Sequence, residues 1–343
     1  MRRALELARE GIGTARPNPC VGAVLVRDGE VIAEGRTQPQ GNHAEKEALA
    51  KCADPRGATL FVTLEPCCHT EKRTPPCTDA LIAAGIARVV VGMRDPNPLV
   101  DGKGIAALKA QGIDVVEGML ADECREVHAA FAKWIVTRRP FVTLKIACTL
   151  DGKVAWEDGA RKNISNDQAW RRVHELRREH DAVLVGVGTV LRDDPLLTVR
   201  LVQGINPVRV VLDGKLRTPA GAKALNGDAK TIIFCEEGAS GEVSADVVRI
   251  GVKDGQLDVA EALDVLGELG ITSVLVEAGP SVAASFIDGG LVDRFLLIIA
   301  PFTMPGGRTW WERCTRRFSF VGVDVERLGE DLLLSGTLKY EQD

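Results

Sequence analysis

Apolar residues recur at helical spacing near the start of the chain, where Ala4, Leu5, Leu7 and Ala8 share one face of a predicted helix. Two short β-branched runs then flank Arg27-Asp28-Gly29-Glu30, and an Asp-Gly pair between such runs predicts a hairpin. Strand-like stretches at 58–64, 87–92 and 113–117 alternate with helical ones at 78–84, 103–110 and 122–136. That alternation predicts an α/β layer fold whose sheet is largely parallel after its opening hairpin.

Thr137-Arg138-Arg139-Pro140 interrupts the pattern, because proline lacks an amide donor and pushes its predecessor out of the helical region. A second α/β series follows, with strands at 141–147, 182–186, 207–212, 231–235, 273–276 and 294–300, and helices at 167–178, 259–269 and 281–288. The Gly- and Asp-rich stretches 236–244 and 251–256 read as surface loops. At roughly 150 residues per domain, 343 residues predict two domains, placed at 1–139 and 140–343. The halves share no motif, and no solenoid period repeats.

Composition narrows the class. With 45% apolar and 27% charged residues, disordered and fibrous architectures are excluded. A formal net charge of −5 lacks the broad basic field of a nucleic-acid or polybasic membrane binder, yet allows a local basic pocket for one phosphorylated metabolite. Apolar stretches such as 295–302 fall far short of the ~18 residues of a membrane span. Arg2, Arg3, Glu6 and Glu10 leave no signal-peptide core, so a cytoplasmic protein is expected. Nine cysteines, an odd number in a long chain, point to free thiols plus a metal site instead of a disulfide framework.

His43-Ala44-Glu45 opens a helical stretch, Glu65-Pro66-Cys67 follows a strand, and Cys77 closes the loop before the next helix. One imidazole and two thiolates suit Zn2+, which in catalytic sites leaves a fourth position to water. Zinc lowers the pKa of such a water toward neutrality, and a carboxylate two residues from the ligand histidine is placed to shuttle its proton to a departing amine. Cys77 at a helix start gains from the positive end of the dipole, which favours thiolate. His-x-Glu followed by Pro-Cys is the signature of zinc-dependent base deaminases, although nine residues separate the cysteines here. Two plainer readings stay open at this point: a closed zinc clip with Cys68 or His69 as fourth ligand, and inert buried cysteines without metal.

The long loop carries a resemblance. Thr63-Leu64-Glu65-Pro66-Cys67 and Arg73-Thr74-Pro75-Pro76-Cys77-Thr78-Asp79-Ala80-Leu81-Ile82 closely resemble the deaminase half of the bifunctional riboflavin-biosynthesis deaminase/reductase family. So do Pro17-Asn18-Pro19 before Val21-Gly22, and Asp95-Pro96-Asn97-Pro98 before Gly102-Lys103-Gly104. The resemblance implies a cytidine-deaminase-like three-layer domain with His43, Cys67 and Cys77 as zinc ligands and Glu45 as proton shuttle. It also implies Asn18 against the pyrimidine and Arg73 on the ribose phosphate. Taken alone, Arg73 reads equally as a solvated loop charge, and Asn18 as a turn former between prolines. The chain departs from the family in a longer loop between the cysteines and in Arg16, where the family has histidine.

Residues 141–343 lack the Gly-x-Gly-x-x-Gly dinucleotide fingerprint. Gly186-Val187-Gly188 is a partial echo: its backbone amides could approach a phosphate, and it would serve equally as a tight strand-to-helix turn. Together with Thr149-Leu150-Asp151-Gly152-Lys153, the run from Gly186 through Asp193-Asp194-Pro195 to Arg200, and Val276-Glu277-Ala278-Gly279-Pro280, it resembles the reductase half of the same family, in the family's order. The resemblance implies a dihydrofolate-reductase-like α/β domain that binds NADPH through Cys148, Asn163, Thr189, Asp193 and the loop Gly279-Pro280-Ser281 continuing to Ser285. Arg161, Arg177, Leu197, Arg200 and Glu277 would hold substrate, in keeping with the preference of a sugar phosphate for arginine forks, although a surface ion pair suits any one arginine as well. Asn163 stands where the family has tryptophan.

The implied activity is zinc-dependent deamination of 2,5-diamino-6-(5-phosphoribosylamino)pyrimidin-4-one, then NADPH-dependent reduction of the product's ribosyl chain to ribityl. A phosphoribosylaminopyrimidine is the implied partner, without nucleic acid or membrane, and homo-oligomerisation stays open. Rival readings are a nucleoside or tRNA-base zinc deaminase with an unrelated second domain, a chain keeping one of the two activities, and a non-catalytic zinc-stabilised module.

Overall fold

The amphipathic opening becomes α1 (Arg2–Gly11), which buries Ala4, Leu5, Leu7 and Ala8. In this computed structural model, which describes residues 1–39, 41–69, 75–155 and 163–341, the chain divides into two units, Met1–Arg138 and Arg139–Asp343. In the first, β1 (Gly22–Arg27) and β2 (Glu30–Arg36) pair antiparallel across Asp28 and Gly29. Both turn residues have positive φ, 53° and 85°, as a two-residue hairpin turn requires. Then come α2 (Ala44–Ala50), β3 (Thr59–Leu64), α3 (Cys77–Ala83) and β4 (Arg88–Met93). The unit closes with α4 (Lys103–Ala110), β5 (Asp114–Glu117) and α5 (Ala121–Thr137).

The sheet order is β2-β1-β3-β4-β5, antiparallel around β1 and parallel from β3 to β5. Strand alternation splits its two faces. Ala23, Leu25, Leu60, Val62 and Val89 pack against Ala44, Leu81, Ile105 and Leu108 of α2, α3 and α4, whereas Val24 and Phe61 meet Ala4 and Leu7 of α1. On the α1 side, His128 of α5 lies 3.0 Å from Thr63 Oγ1. The result is a three-layer sandwich of the cytidine-deaminase type.

The second unit opens with β6 (Phe141–Thr149), β7 (Lys153–Ala155), α6 (Asp167–Glu179), β8 (Ala182–Gly186) and α7 (Val187–Asp193). Next are β9 (Val208–Leu212), β10 (Thr231–Cys235), β11 (Asp246–Arg249), β12 (Val252–Lys253) and β13 (Gln256–Leu257). The rest is α8 (Val259–Glu268), β14 (Ser273–Glu277), α9 (Pro280–Asp288), β15 (Arg294–Ala300), β16 (Arg308–Thr309), β17 (Phe318–Leu328) and β18 (Asp331–Tyr340). Among the described residues, nine strands form one sheet in the order β11-β10-β9-β8-β14-β6-β15-β18-β17. It is parallel from β11 to β15 and antiparallel at β18 and β17. Strands covered on both faces read as continuous apolar runs, as in Ala182-Val183-Leu184-Val185. Two expectations change here. The 251–256 stretch contributes to a small β12–β13 hairpin instead of a plain loop, and the strand series continues past 300 into the β17–β18 hairpin.

His128 is 1% exposed, and burial pushes its pKa down to about 4. Burial also lowers His174 and His180 in the second unit. An unfolded imidazole returns to about 6.5, so the unfolded chain takes up the proton first. The stability contributed by neutral His128 is therefore whole above pH 6.5 and falls as the pH drops toward 4, by about 3 kcal/mol in total. Thermal melts should show midpoints declining across that window, and His128→Gln should flatten part of the decline; a wild-type midpoint constant from pH 7 to 4 would refute the assignment.

Candidate active sites

His43 is the N-cap residue of α2, Cys67 lies three residues beyond the end of β3, and Cys77 is the first residue of α3. The Cys67 carbonyl accepts the backbone N–H groups of Cys77 at 3.0 Å and Thr78 at 3.3 Å, so the loop closes on itself and brings the two thiols together. His43 Nδ1 lies 3.4 Å from each sulfur, and the three ligand atoms lie within 4.8 Å of one another. One nitrogen and two sulfurs at this separation fit a zinc ion with an open fourth position. Among the described residues neither Cys68 nor His69 joins the cluster; the Cys68 thiol is directed at the Leu99 carbonyl. Glu45, 3% exposed, sits beside the cluster, where burial and then the Cys67 sulfur raise its pKa.

Two close approaches hold this constellation. A side chain at Gly35 of β2 would place a Cβ 2.1 Å from the Ala44 carbonyl, so only glycine lets α2, with Glu45, lie this near the sheet. A Cβ at Gly104 would come 2.1 Å from the Pro66 carbonyl, which seats the start of α4 against the ligand loop. Glu65 ties that loop from within. Its carboxylate accepts the N–H groups of Asp95 (3.1 Å), Gly102 (3.0 Å) and Ile105 (3.0 Å). Asp95, pushed up to about 7 by burial, accepts in turn from the Asn97 N–H at 2.8 Å. Asn18 is exposed in the turn after α1, its side chain without a hydrogen bond among the described residues. Arg73 lies outside the described residues.

In the second unit, β8 leads through α7 to β9 on one side, while β14 leads through α9 to β15 on the other. Adjacent β8 and β14 therefore flank a topological switch point, where ligands of open α/β sheets bind at the carboxyl ends of the strands. A cavity of about 1220 Å³ opens there. Gly188 and Gly279 line it with bare backbone, and an added Cβ at either would meet nothing within 4 Å among the described residues. Such a floor suits a dinucleotide's phosphates. Asn163, Thr189, Asp193, Pro280 and Ser281 line the same cavity.

At one end, Arg177 grips Glu277 with two bonds, Nε to Oε1 at 2.6 Å and Nη2 to Oε2 at 3.0 Å, and also donates to the Thr198 carbonyl at 3.3 Å. Lys145 Nζ lies 3.7 Å from Glu277 Oε2. Burial pushes the Glu277 carboxyl up, but Arg177 and Lys145 outweigh it and hold the pKa down at about 2. Burial lowers Lys145. Arg200 donates from Nη1 to Thr198 Oγ1 at 2.8 Å, and its backbone N–H donates to His174 Nδ1 at 2.9 Å. Leu197, 1% exposed, takes a left-handed φ of 55°.

Arg177 and Glu277 both line the cavity. Arg177 and Glu277 spend their strongest bonds on each other, and the Cys148 thiol faces the core instead of the cavity. Alternation along β6 explains the second point: Lys145 and Ala147 line the cavity, whereas Leu144, Ile146 and Cys148 point into the core. Arg161 lies outside the described residues. Sequence reasoning missed Lys145, Glu65 as a clamp, Trp170, and Arg209. Arg209 is fully buried, donating to Thr231 Oγ1 at 2.9 Å, to Asn226 Oδ1 at 2.8 Å and to the Leu196 carbonyl at 3.5 Å beneath the Leu197 turn. Trp170 lines the cavity with its indole N–H buried and without a partner among the described residues. The signal for Lys145 and Arg209 was present, since a cation inside an apolar strand run is rarely idle.

A family model described as the RibD C-terminal domain matches residues 140–334, and one described as the cytidine and deoxycytidylate deaminase zinc-binding region matches residues 1–93. The chain is 42% identical over 344 residues to the riboflavin biosynthesis protein RibD of Aquifex aeolicus, covering 97% of this chain and 96% of that protein. Identity to RibD of Escherichia coli is 40% over 361 residues, covering 97% of each. The crystal structure of a diaminohydroxyphosphoribosylaminopyrimidine deaminase/5-amino-6-(5-phosphoribosylamino)uracil reductase from Thermotoga maritima aligns with a TM-score of 0.89 at 39% identity, over 99% of this chain and 97% of that one. Near full-length identity of this size, joined to a thiolate-imidazole cluster in one unit and a switch-point cavity in the other, establishes that the chain belongs to the RibD family of riboflavin biosynthesis proteins.

Proposed function

We propose that residues 1–139 deaminate 2,5-diamino-6-(5-phosphoribosylamino)pyrimidin-4-one and that residues 140–343 reduce the ribosyl chain of the product to ribityl. The chain is a bifunctional enzyme with zinc and NADPH as cofactors. The carrying observation is that a three-ligand cluster with a buried non-ligand carboxylate and a cavity with bare-backbone turns occur in one chain. When bound, zinc supplies the Lewis acidity that makes water nucleophilic at neutral pH, and NADPH supplies hydride.

His43, Cys67 and Cys77 hold the metal, and Glu45 moves the protons. Its carboxylate takes one from the attacking water and delivers it to the departing amine, so that a C–O bond forms, the C–N bond breaks and ammonia leaves. Asn18 offers its free amide to the pyrimidine. In the reductase, opening of the ribose breaks the C1′–O4′ bond and puts a proton on O4′, leaving a C1′=N bond; C1′ then gains hydride and the nitrogen gains a proton. Lys145, with an ammonium already lowered by burial, is the donor placed at the cavity wall. The Arg177–Glu277 pair fixes that ammonium, and Arg200 takes the sugar phosphate. The reading places the enzyme in the cytoplasm, where its thiols stay reduced.

Glu45→Gln preserves shape but cannot carry a proton, so ammonia release should fall at least about 100-fold while one zinc per chain and reductase turnover persist. Metal analysis beside both half-reaction assays decides the matter: near-normal ammonia release removes Glu45 from the chemistry, and loss of zinc makes its role structural.

Arg200→Ala should weaken substrate use by the reductase about 10- to 100-fold, as expected when a charge-assisted bond to phosphate is lost. Deamination should be untouched. Unchanged reductase kcat/KM would return Arg200 to an ordinary surface role.

A further inference from the structure

The segment 196–200, which brings Leu197 and Arg200 to the cavity, is fixed from two sides. On one side stands α6, where Arg177 donates to the Thr198 carbonyl at 3.3 Å and His174 accepts the Arg200 N–H at 2.9 Å. On the other stands the turn 222–229 between β9 and β10, of which Lys223 alone among the described residues lines the cavity.

Asn206 bridges segment and turn with one side chain. Its Oδ1 accepts the Val199 N–H at 2.8 Å, and its Nδ2 donates to the Asp228 carbonyl at 3.2 Å. Leu197 packs among Ala222, Ala224 and Leu225 of the turn. Arg209, inside β9, donates from Nη1 to Asn226 Oδ1 at 2.8 Å and, at longer range, to the carbonyls of Lys223 at 3.4 Å and Leu196 at 3.5 Å. Its Nη2 reaches the Ala229 carbonyl, and its Nε meets Thr231 Oγ1 at 2.9 Å. That hydroxyl donates in turn to the Ala224 carbonyl at 2.6 Å.

A guanidinium does not shed its proton, so burying one demands acceptors all round it. Arg209 is 0% exposed, yet its acceptors are carbonyls, an amide and a hydroxyl, with no carboxylate at ion-pair distance among the described residues. Stability alone does not call for such a group, since an apolar side chain in β9 would escape the desolvation cost. What the charge supplies is geometry. Leu197 holds a left-handed φ of 55°, a conformation that a bulky residue keeps only where its surroundings impose it.

We propose that Arg209 and Asn206 are positioning residues of the reductase: they hold the left-handed Leu197 turn and thereby set where the Arg200 guanidinium meets the sugar phosphate. Neither lines the cavity, so both act through the backbone of 196–200. The assignment rests on the reading of Arg200 as the phosphate contact.

Steady-state kinetics on the full chain, with 5-amino-6-(5-phosphoribosylamino)uracil and NADPH, separate positioning from mere stability. A residue that only holds the fold lowers the active fraction, and kcat with it, at unchanged KM. Asn206→Ala, at a partly exposed site, should raise the KM for the uracil substrate about 3- to 10-fold, with kcat and the KM for NADPH within about twofold of wild type. Arg209→Lys keeps the charge but cannot span Asn226, Thr231 and Leu196 together, and should act at least as strongly. Should it not fold, Asn206→Ala decides alone. The second signature is coupling: Arg200→Ala should cost at least about threefold less in kcat/KM on the Asn206→Ala background than in wild type. A fall in kcat alone, equal rises in both KM values, or losses that simply multiply in the double variant would overturn the assignment while leaving the reductase reading intact. Wild type unable to reduce this substrate, or Arg200→Ala with unchanged kcat/KM, would overturn the underlying reading and the assignment with it.

Discussion

A carboxylate taken out of water costs several kcal/mol unless donors meet it, and both sites are organised around that demand. Glu65, just past β3, is answered by three backbone N–H groups drawn from the Asp95–Ile105 segment. Glu277, the last residue of β14, is answered by the Arg177 fork and the Lys145 ammonium. In each case the charge fixes chain that would otherwise wander: the ligand loop through Pro66 in one unit, α6 and the Thr198–Arg200 segment in the other. Uncharged residues at 65 and 277 would remove the reason for those segments to converge.

Much of the fold was legible because period and punctuation agree. The Asp28-Gly29 pair predicts its hairpin, the apolar face of 4–8 predicts α1, and the buried strands read as unbroken apolar runs. The zinc cluster was legible too, since a His-x-Glu and two loop cysteines constrain chemistry more than they constrain geometry. What stayed hidden depends on facing. Cys148 and Lys145 lie on the same strand three residues apart, so alternation alone sends them to opposite faces, and only the sheet's surroundings reveal which face meets the cavity. The β17–β18 hairpin carries a strand signal in Val321, Val323 and Val325, but Gly322 and the exposure of most of β17 blur it.

The missing dinucleotide fingerprint shows how topology can replace motif. Glycines after two neighbouring strands, about ninety residues apart in sequence, supply what a single Gly-x-Gly-x-x-Gly turn supplies elsewhere. No local scan joins Gly188 to Gly279; strand order does. Arg209 belongs to the same logic, since its donors reach residues on both sides of it in sequence and hold the Leu197 turn from below.

The position of β18 has a consequence for biosynthesis. It is inserted between β15 and β17, and its partner β17 precedes it in the chain, so the edge of β15 stays open until residues 331–340 have left the ribosome. Seven parallel strands can be translated and brought together before that moment, yet the sheet they make ends in a bare ladder of Leu296, Leu297 and Ile298. The nascent reductase unit thus passes through a sticky stage before residues 331–340 emerge, when its ligand cavity can already be framed but its flank is not yet covered. Chaperone demand during synthesis should therefore concentrate in the interval between the emergence of β15 and that of β18.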